Sequence, residues 1–127
     1  MSIILSVDDE PSILELRRIV LEQAGYEVLS ACDGLEALRI FDANTIDLVL
    51  LDYFMPEMDG EAVANEMKRK RPHIPVIIVS ASVDCIHRVR GKVDSFVCKG
   101  NGPELLFAEI RRFLSTEAHC MEDQKAA

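Results

Sequence analysis

The chain of 127 residues contains no tryptophan, and aromatic residues make up only 6% of it, so its core must be mainly aliphatic. No apolar run approaches the roughly 20 residues of a membrane-spanning helix, so we expect no membrane partner. Positive charge is also scarce, because 14 lysines and arginines stand against 22 acids and leave a net charge of -8. Direct nucleic-acid binding needs a positive surface and is therefore not expected.

Features of secreted proteins and of zinc sites are missing as well. The four cysteines form no C-x-x-C pair, and the three histidines show no metal-ligand spacing. The first apolar run, Ile3 to Val7, is too short for a secretory signal, and acids follow it at once. We therefore expect reduced thiols and a cytoplasmic protein.

Short apolar runs alternate with segments of helical period along the whole chain. The runs cover residues 3–7, 27–31, 47–51, 75–79 and 95–98. Pro11 suits the first turn of a helix that Gly25 ends, and Asp59 can cap a helix that the basic stretch 68–71 closes. The fourth helix, over 84–91, is predicted to be short. The pattern thus predicts five β-then-α units, (βα)5.

This alternation predicts an α/β fold in three layers, with a doubly wound, five-stranded parallel sheet between helices on both faces. The length suits one domain. We expect that domain to span residues 1–115 and a disordered polar tail to span 116–127.

Polar residues follow four of the apolar runs. They are Asp8, Asp9, Asp52, Ser80 and Lys99. Each taken alone could be a helix cap or a solvated loop residue. In an open α/β sheet, however, the carboxyl ends of the strands line the ligand crevice, so the sequence predicts that these side chains meet at one edge.

The three acids point to a divalent cation. If the first and third strands are neighbours, they lie ~4.8 Å apart, and their carboxylates disfavour one another's ionisation. Mg²⁺ relieves this repulsion and prefers oxygen ligands. Asp52 could then attack phosphorus in line, while the metal and Lys99 neutralise charge and the Ser80 hydroxyl hydrogen-bonds the phosphoryl oxygens.

The same residues stand in four motifs that resemble the receiver domain of two-component response regulators, of the chemotaxis-receiver kind. The motifs are Asp8-Asp9, D-Y-F-M-P-E-M-D-G from Asp52 to Gly60, Val79-Ser80-Ala81 and Phe96-Val97-Cys98-Lys99. The resemblance covers the chain from about Ile3 to Leu114. It implies a flavodoxin-like sheet with the strand order 2-1-3-4-5.

The resemblance also implies a role for each motif. Asp52 would take a phosphoryl group from a phosphohistidine. Asp9, Asp52 and the backbone carbonyl of Phe54 would bind Mg²⁺ directly, with Asp8 helping through a water. Lys99 would pair with the phosphoryl group. Ser80 would move toward that group, and Phe96 would swing inward behind it.

A phosphoacceptor switch of this kind is not an enzyme with a separate substrate, although it catalyses its own phosphorylation and loss of phosphate. The resemblance implies a sensor histidine kinase or phosphotransfer protein as donor and a downstream effector protein as target. We expect a monomer or a phosphorylation-dependent homodimer. We also expect that the chain carries no output domain, or else that it is a receiver cut from a longer protein.

The chain departs from the receiver-domain pattern at two places, and three alternative functions remain open. Gly100 follows Lys99 where the family usually has a cis-proline, and the stretch from Ser80 to Phe96 is short. A metal-dependent aspartyl phosphatase is disfavoured, because Phe54 stands where such enzymes want a second acid. A degenerate receiver that only binds proteins is disfavoured by the intact polar set. A flavin-binding protein of this fold is disfavoured too, because no phosphate-cradling loop follows the first strand.

Overall fold

Five parallel strands form the middle layer of the computed structural model, which describes the backbone of residues 1–126 and the side chains of residues 1–100 and 102–114. The strands are β1 (Ile3–Val7), β2 (Glu27–Ala31), β3 (Leu48–Asp52), β4 (Val76–Ser80) and β5 (Ser95–Cys98). They lie in the order β2-β1-β3-β4-β5, which confirms the predicted topology.

Each strand is followed by a helix. The helices are α1 (Pro11–Gln23), α2 (Gly34–Ala43), α3 (Gly60–Lys70), α4 (Ile86–Val89) and α5 (Pro103–Ala126). Within the described part of the chain, no helix combines the length and the apolar character that crossing a membrane requires.

The sheet is buried on both faces by two separate apolar clusters, as consecutive apolar residues in parallel strands predict. One cluster joins the sheet to α2, α3 and α4 through Phe41, Met67 and Val89. The other joins it to α1 and α5 through Leu21 and Ile110. Three layers result, as the sequence predicts.

The helix ends follow the local signals in the sequence. Pro11 opens α1, and Gly25 follows it with a φ of +99°. The side chains of Asp33 and Asp59 accept hydrogen bonds from the N–H groups of Glu36 and Ala62, which caps α2 and α3. These caps fix where each helix leaves the carboxyl edge of the sheet.

The last two helices differ in length from the others. α4 has only four residues, Ile86–Val89, so the prediction of a short fourth helix is confirmed. α5 continues to Ala126, beyond the apolar positions that end at Leu114. The side chains of 115–126 and the whole of residue 127 lie outside the described residues, so the separate tail over 116–127 stays a prediction.

Candidate functional site

The strand register brings the acids together. Val7 pairs with Leu51 across β1 and β3, so Asp8 and Asp52 leave the sheet side by side. One carboxylate oxygen from each of Asp8, Asp9 and Asp52 lies within 4.8 Å of the others. Asp8 and Asp52 are buried, whereas Asp9 is exposed. The cluster is therefore closed from behind and open on one side.

Lys99, which directly follows β5, adds a positive charge to the three acids. Its Nζ lies 2.9 Å from Asp8 Oδ2 and 3.5 Å from Asp52 Oδ1. With Gly100 after it, Lys99 begins a 3-10 turn, Lys99–Asn101, and still reaches both acids. The departure at Gly100 thus leaves the ammonium in contact with the acids.

The remaining predicted residues stand at or near the ends of β3, β4 and β5. Ser80 ends β4 fully buried, and its hydroxyl accepts a hydrogen bond from the N–H of Ser82 at 3.3 Å. Phe96 is half-buried against the cluster under α2 to α4. Phe54 follows Asp52 by two residues, and its ring is 55% exposed.

Burial and repulsion make Asp52 an unusual acid. Loss of solvent, and then the negative charges of Asp8 and Asp9, raise its pKa from 3.8 to about 6, although Lys99 acts in the opposite direction. Burial is the largest of these causes. Lys99 compensates for only part of this cost, so a bound cation would stabilise the Asp52 carboxylate further.

Gly60 sets the distance between α3 and this edge. Its N–H donates to the carbonyl of Tyr53 at 2.8 Å. A β-carbon at position 60 would lie 2.8 Å from the backbone oxygen of Asp52 and 2.8 Å from Tyr53 Cα. Only glycine allows the helix to start this close to the acid.

Two residues of the site were missed at the sequence level. Arg17 of α1 donates from Nη1 to Ser6 Oγ at 3.2 Å, and its Nη2 lies 3.7 Å from Asp8 Oδ2. Burial lowers the pKa of Arg17, whereas Asp8 and then Asp52 raise it. Two signals could have revealed the pair. Ser6 is a polar residue inside an apolar strand, and Arg17 shares the helical face of Ile13 and Leu21.

The donor set suits a hard divalent cation. The ligand atoms of the cluster are all carboxylate oxygens, which Mg²⁺ and Ca²⁺ prefer to nitrogen or sulfur. The exposed side of Asp9 leaves room for waters, which Mg²⁺ keeps when it binds to proteins. The residues present therefore fit Mg²⁺, with Asp9 as the exposed carboxylate on the open side of the cluster.

Comparison with known proteins identifies the family of this chain. The family model described as "Response regulator receiver domain" matches residues 4–111. "Probable transcriptional regulator ycf27" of Cyanidium caldarium is 40% identical over 114 residues, which are 87% of this chain and 45% of that protein. The chain thus spans about half the length of the curated relatives it matches.

Solved structures give the same result. The response regulator TrrA of Thermotoga maritima in complex with Mg(2+)-BeF has a TM-score of 0.86 and 35% identity, covering 90% of this chain and 100% of that one. The complex of histidine kinase ThkA with TrrA has a TM-score of 0.84 and 36% identity, covering 91% and 100%. Fold, site and comparisons together place the chain in the family of response regulator receiver domains of two-component systems.

Proposed function

We propose that Asp52 accepts a phosphoryl group in a Mg²⁺-dependent reaction and that this modification switches the domain between two signalling states. The observation that carries the proposal is the convergence of three carboxylates and one ammonium at the carboxyl edge of the sheet. Receiver domains are typically signalling switches and not metabolic enzymes. We therefore propose that the chain modifies itself and turns over no separate substrate.

Asp52 is suited to be the nucleophile. With a pKa of about 6, it is mostly ionised at neutral pH, yet its burial leaves the carboxylate poorly solvated. In the transfer, a bond forms between an Asp52 oxygen and phosphorus as the bond from phosphorus to the donor's imidazole nitrogen breaks. Lys99 stands within reach of Asp52, so its ammonium can pair with a phosphoryl oxygen.

The metal would be held by Asp9, Asp52 and the backbone carbonyl of Phe54, with Asp8 acting through a water. When bound, Mg²⁺ supplies neutralisation of the charge that gathers on the transferring group. Asp8 is held in place by the chain itself, because its Oδ1 accepts from the N–H of Glu10 at 3.0 Å and its Oδ2 contacts Lys99.

Ser80 and Phe96 would carry the signal away from Asp52. Ser80 ends β4 beside β5, and its register partner Cys98 directly precedes Lys99. A new doubly charged group at Asp52 attracts the Ser80 hydroxyl, which vacates space into which the half-buried Phe96 can turn. The face made by α4, β5 and α5 would then present a new shape to a partner.

The partners follow from the family and from charge. A neighbour, TrrA, has been solved with a histidine kinase, which supports a sensor histidine kinase or phosphotransfer protein as the phosphoryl donor here. Curated relatives are named transcriptional regulators, which supports a downstream effector in gene control. With a net charge of -8, this chain would act through a protein surface and not by touching DNA, as a monomer or a phosphorylation-dependent homodimer.

Intact mass spectrometry tests the proposal. Incubation with Mg²⁺ and acetyl phosphate should add one phosphoryl group to the wild-type protein and none to Asp52→Asn. Asp42→Asn is the matched control, because Asp42 forms an exposed ion pair with Lys70 far from the site. A chain that gains no adduct with Mg²⁺ present, or an Asp52→Asn variant that gains the same adduct, would show that the proposal is wrong.

A further inference from the structure

Arg17 brings a second positive charge into the acidic site, and the proposed transfer gives it no role. We propose that Arg17 is a built-in counter-ion of Asp8 that lowers the affinity of the site for divalent cations. Arg17 is thus a positioning residue that acts through Asp8. This inference rests on the proposed function, because it concerns the same metal site.

The contacts of Asp8 are the first support. Asp8 is fully buried, and its Oδ1 accepts a hydrogen bond from the N–H of Glu10. Its Oδ2 faces two cations, Lys99 at 2.9 Å and Arg17 at 3.7 Å. A carboxylate engaged on both oxygens offers less negative charge to an incoming metal ion than a free one does.

Arg17 is itself held in position. Only 9% of its side chain is exposed, and the Ser6 hydroxyl, on a fully buried residue, accepts from Nη1 at 3.2 Å. The stem of Arg17 lines an apolar cavity of about 490 Å³ between α1, α5 and the sheet. The guanidinium is therefore fixed against the acids and cannot move aside into water as a surface arginine can.

The charges decide the direction of the effect. Three carboxylates and Lys99 alone leave a formal charge of -2, and Arg17 reduces it to -1. A divalent cation beside Asp9 and Asp52 is repelled by the guanidinium that contacts Asp8 in the same cluster. Even with strong screening, repulsion of this kind is worth on the order of tenfold in a dissociation constant.

A purely structural role for Arg17 predicts the opposite result. If the guanidinium only held Asp8 in the ligand position, its removal would loosen Asp8 and weaken metal binding. The direction of the change in Mg²⁺ affinity therefore separates the two roles. The neutral replacement should keep the fold, because a methionine at position 17 extends into the apolar cavity that the arginine stem already lines.

The experiment is a Mg²⁺ titration by isothermal titration calorimetry, with no phosphodonor present. Arg17→Met should lower the dissociation constant about tenfold relative to wild type. Arg17→Gln, which also removes the charge but keeps hydrogen-bonding capacity, should do the same, and Arg17→Lys should stay close to wild type. Arg18→Met is the matched control, because Arg18 is the next residue of α1 and pairs with Glu15 and Glu22 at the surface. Arg18→Met removes the same charge as Arg17→Met but should shift the dissociation constant for Mg²⁺ by less than about twofold.

Each outcome decides for or against the inference. Affinity that is unchanged or weaker in both Arg17→Met and Arg17→Gln overturns it, and so does an equal shift in Arg18→Met. If Arg17→Met does not fold, as circular dichroism would show, the affinity of Arg17→Gln alone decides between the two roles. A wild-type chain that binds no Mg²⁺ overturns this inference together with the metal step of the proposed function. Wild-type binding with no effect of Arg17 overturns the inference only.

Discussion

Two aromatic residues directly follow Asp52, and they have different surroundings. Tyr53 is only 3% exposed and belongs to the cluster under α2 to α4. Phe54 is 55% exposed, and its ring meets that of Tyr53 edge-on, with the centroids 4.9 Å apart. An exposed phenyl ring two residues from the proposed phosphoacceptor adds little to the core. We interpret it as a cover that keeps water from an acyl phosphate.

The rate of phosphate loss tests this interpretation of Phe54. Phe54→Asn removes the ring and should speed dephosphorylation several-fold, because a water can then approach the phosphorus more easily. The measurement is the decay of the phosphorylated mass after the phosphodonor is removed. Ile19→Asn is the control, since Ile19 is an exposed apolar residue in the middle of α1. A Phe54→Asn variant that decays no faster than wild type would contradict the role of the ring.

Single residues also show what the sequence could reveal about the site. Asp8, Asp9, Asp52 and Lys99 were predicted to meet because each follows an apolar strand run, and parallel strands end at one edge. Arg17 was not predicted, because its role depends on how α1 packs across β1. In the sequence, Arg17 beside Arg18 resembles a surface pair, and only the packed helix sends the two side chains into different surroundings.

Among the elements, the junction of β3 and α3 controls where Asp52 stands. Asp59 caps α3, and the N–H of Gly60 donates to the carbonyl of Tyr53 at 2.8 Å. The helix start is thereby bonded to the strand end that carries Asp52. The sequence showed the cap, but the close approach at Gly60 became visible only when both elements were placed.

A pair of glycine substitutions tests the importance of this junction. Gly60→Ala places a methyl 2.8 Å from backbone atoms of Asp52 and Tyr53, which cannot rotate away, so we expect a loss of roughly 1–3 kcal/mol in the free energy of unfolding. Gly100→Ala meets only the Cys98 sulfur at 3.8 Å and should change stability by less than about 0.5 kcal/mol. Urea unfolding followed by circular dichroism gives both values. Equal effects at the two positions would contradict the close-packing account.

The strands were easier to predict than the last helix. All five strand runs lie within a residue of the observed bounds, because short apolar runs between helical segments leave few alternatives. The strand order 2-1-3-4-5 came from the family resemblance and not from local pattern. The end of α5 was harder to predict, since the residues after Leu114 carry no helical apolar period in the sequence.

For the whole molecule, the site works against the stability of the fold. The chain carries a net charge of -8, and two of its acids, Asp8 and Asp52, are buried side by side. Lys99 and Arg17 offset part of their repulsion. Active sites commonly hold groups that destabilise the folded state, because the ligand supplies the missing partner. Mg²⁺ is expected to supply it here.

The dependence of stability on pH tests this account. The pKa of Asp52 rises from 3.8 to about 6 on folding, so between these values the native state binds more protons than the unfolded state. Asp52 therefore lowers stability progressively as pH rises from about 4 to 6, by up to roughly 2–3 kcal/mol above pH 6. Without Mg²⁺, Asp52→Asn should be more stable than wild type at pH 7.5, and the gap should close toward pH 4.

Urea unfolding of wild type and Asp52→Asn between pH 4 and pH 7.5 measures the difference in their free energies of unfolding. Glu61 and Glu66, whose pKa values are lowered by Lys92 and Arg69, are common to both proteins, so their effects cancel in the difference. Asp42→Asn removes an exposed carboxylate instead and should leave no such pH-dependent gap. Saturating Mg²⁺ should stabilise wild type more than Asp52→Asn and narrow the difference at pH 7.5. An Asp52→Asn variant less stable than wild type at that pH without Mg²⁺ would mean that Asp52 already has a sufficient partner in the folded chain.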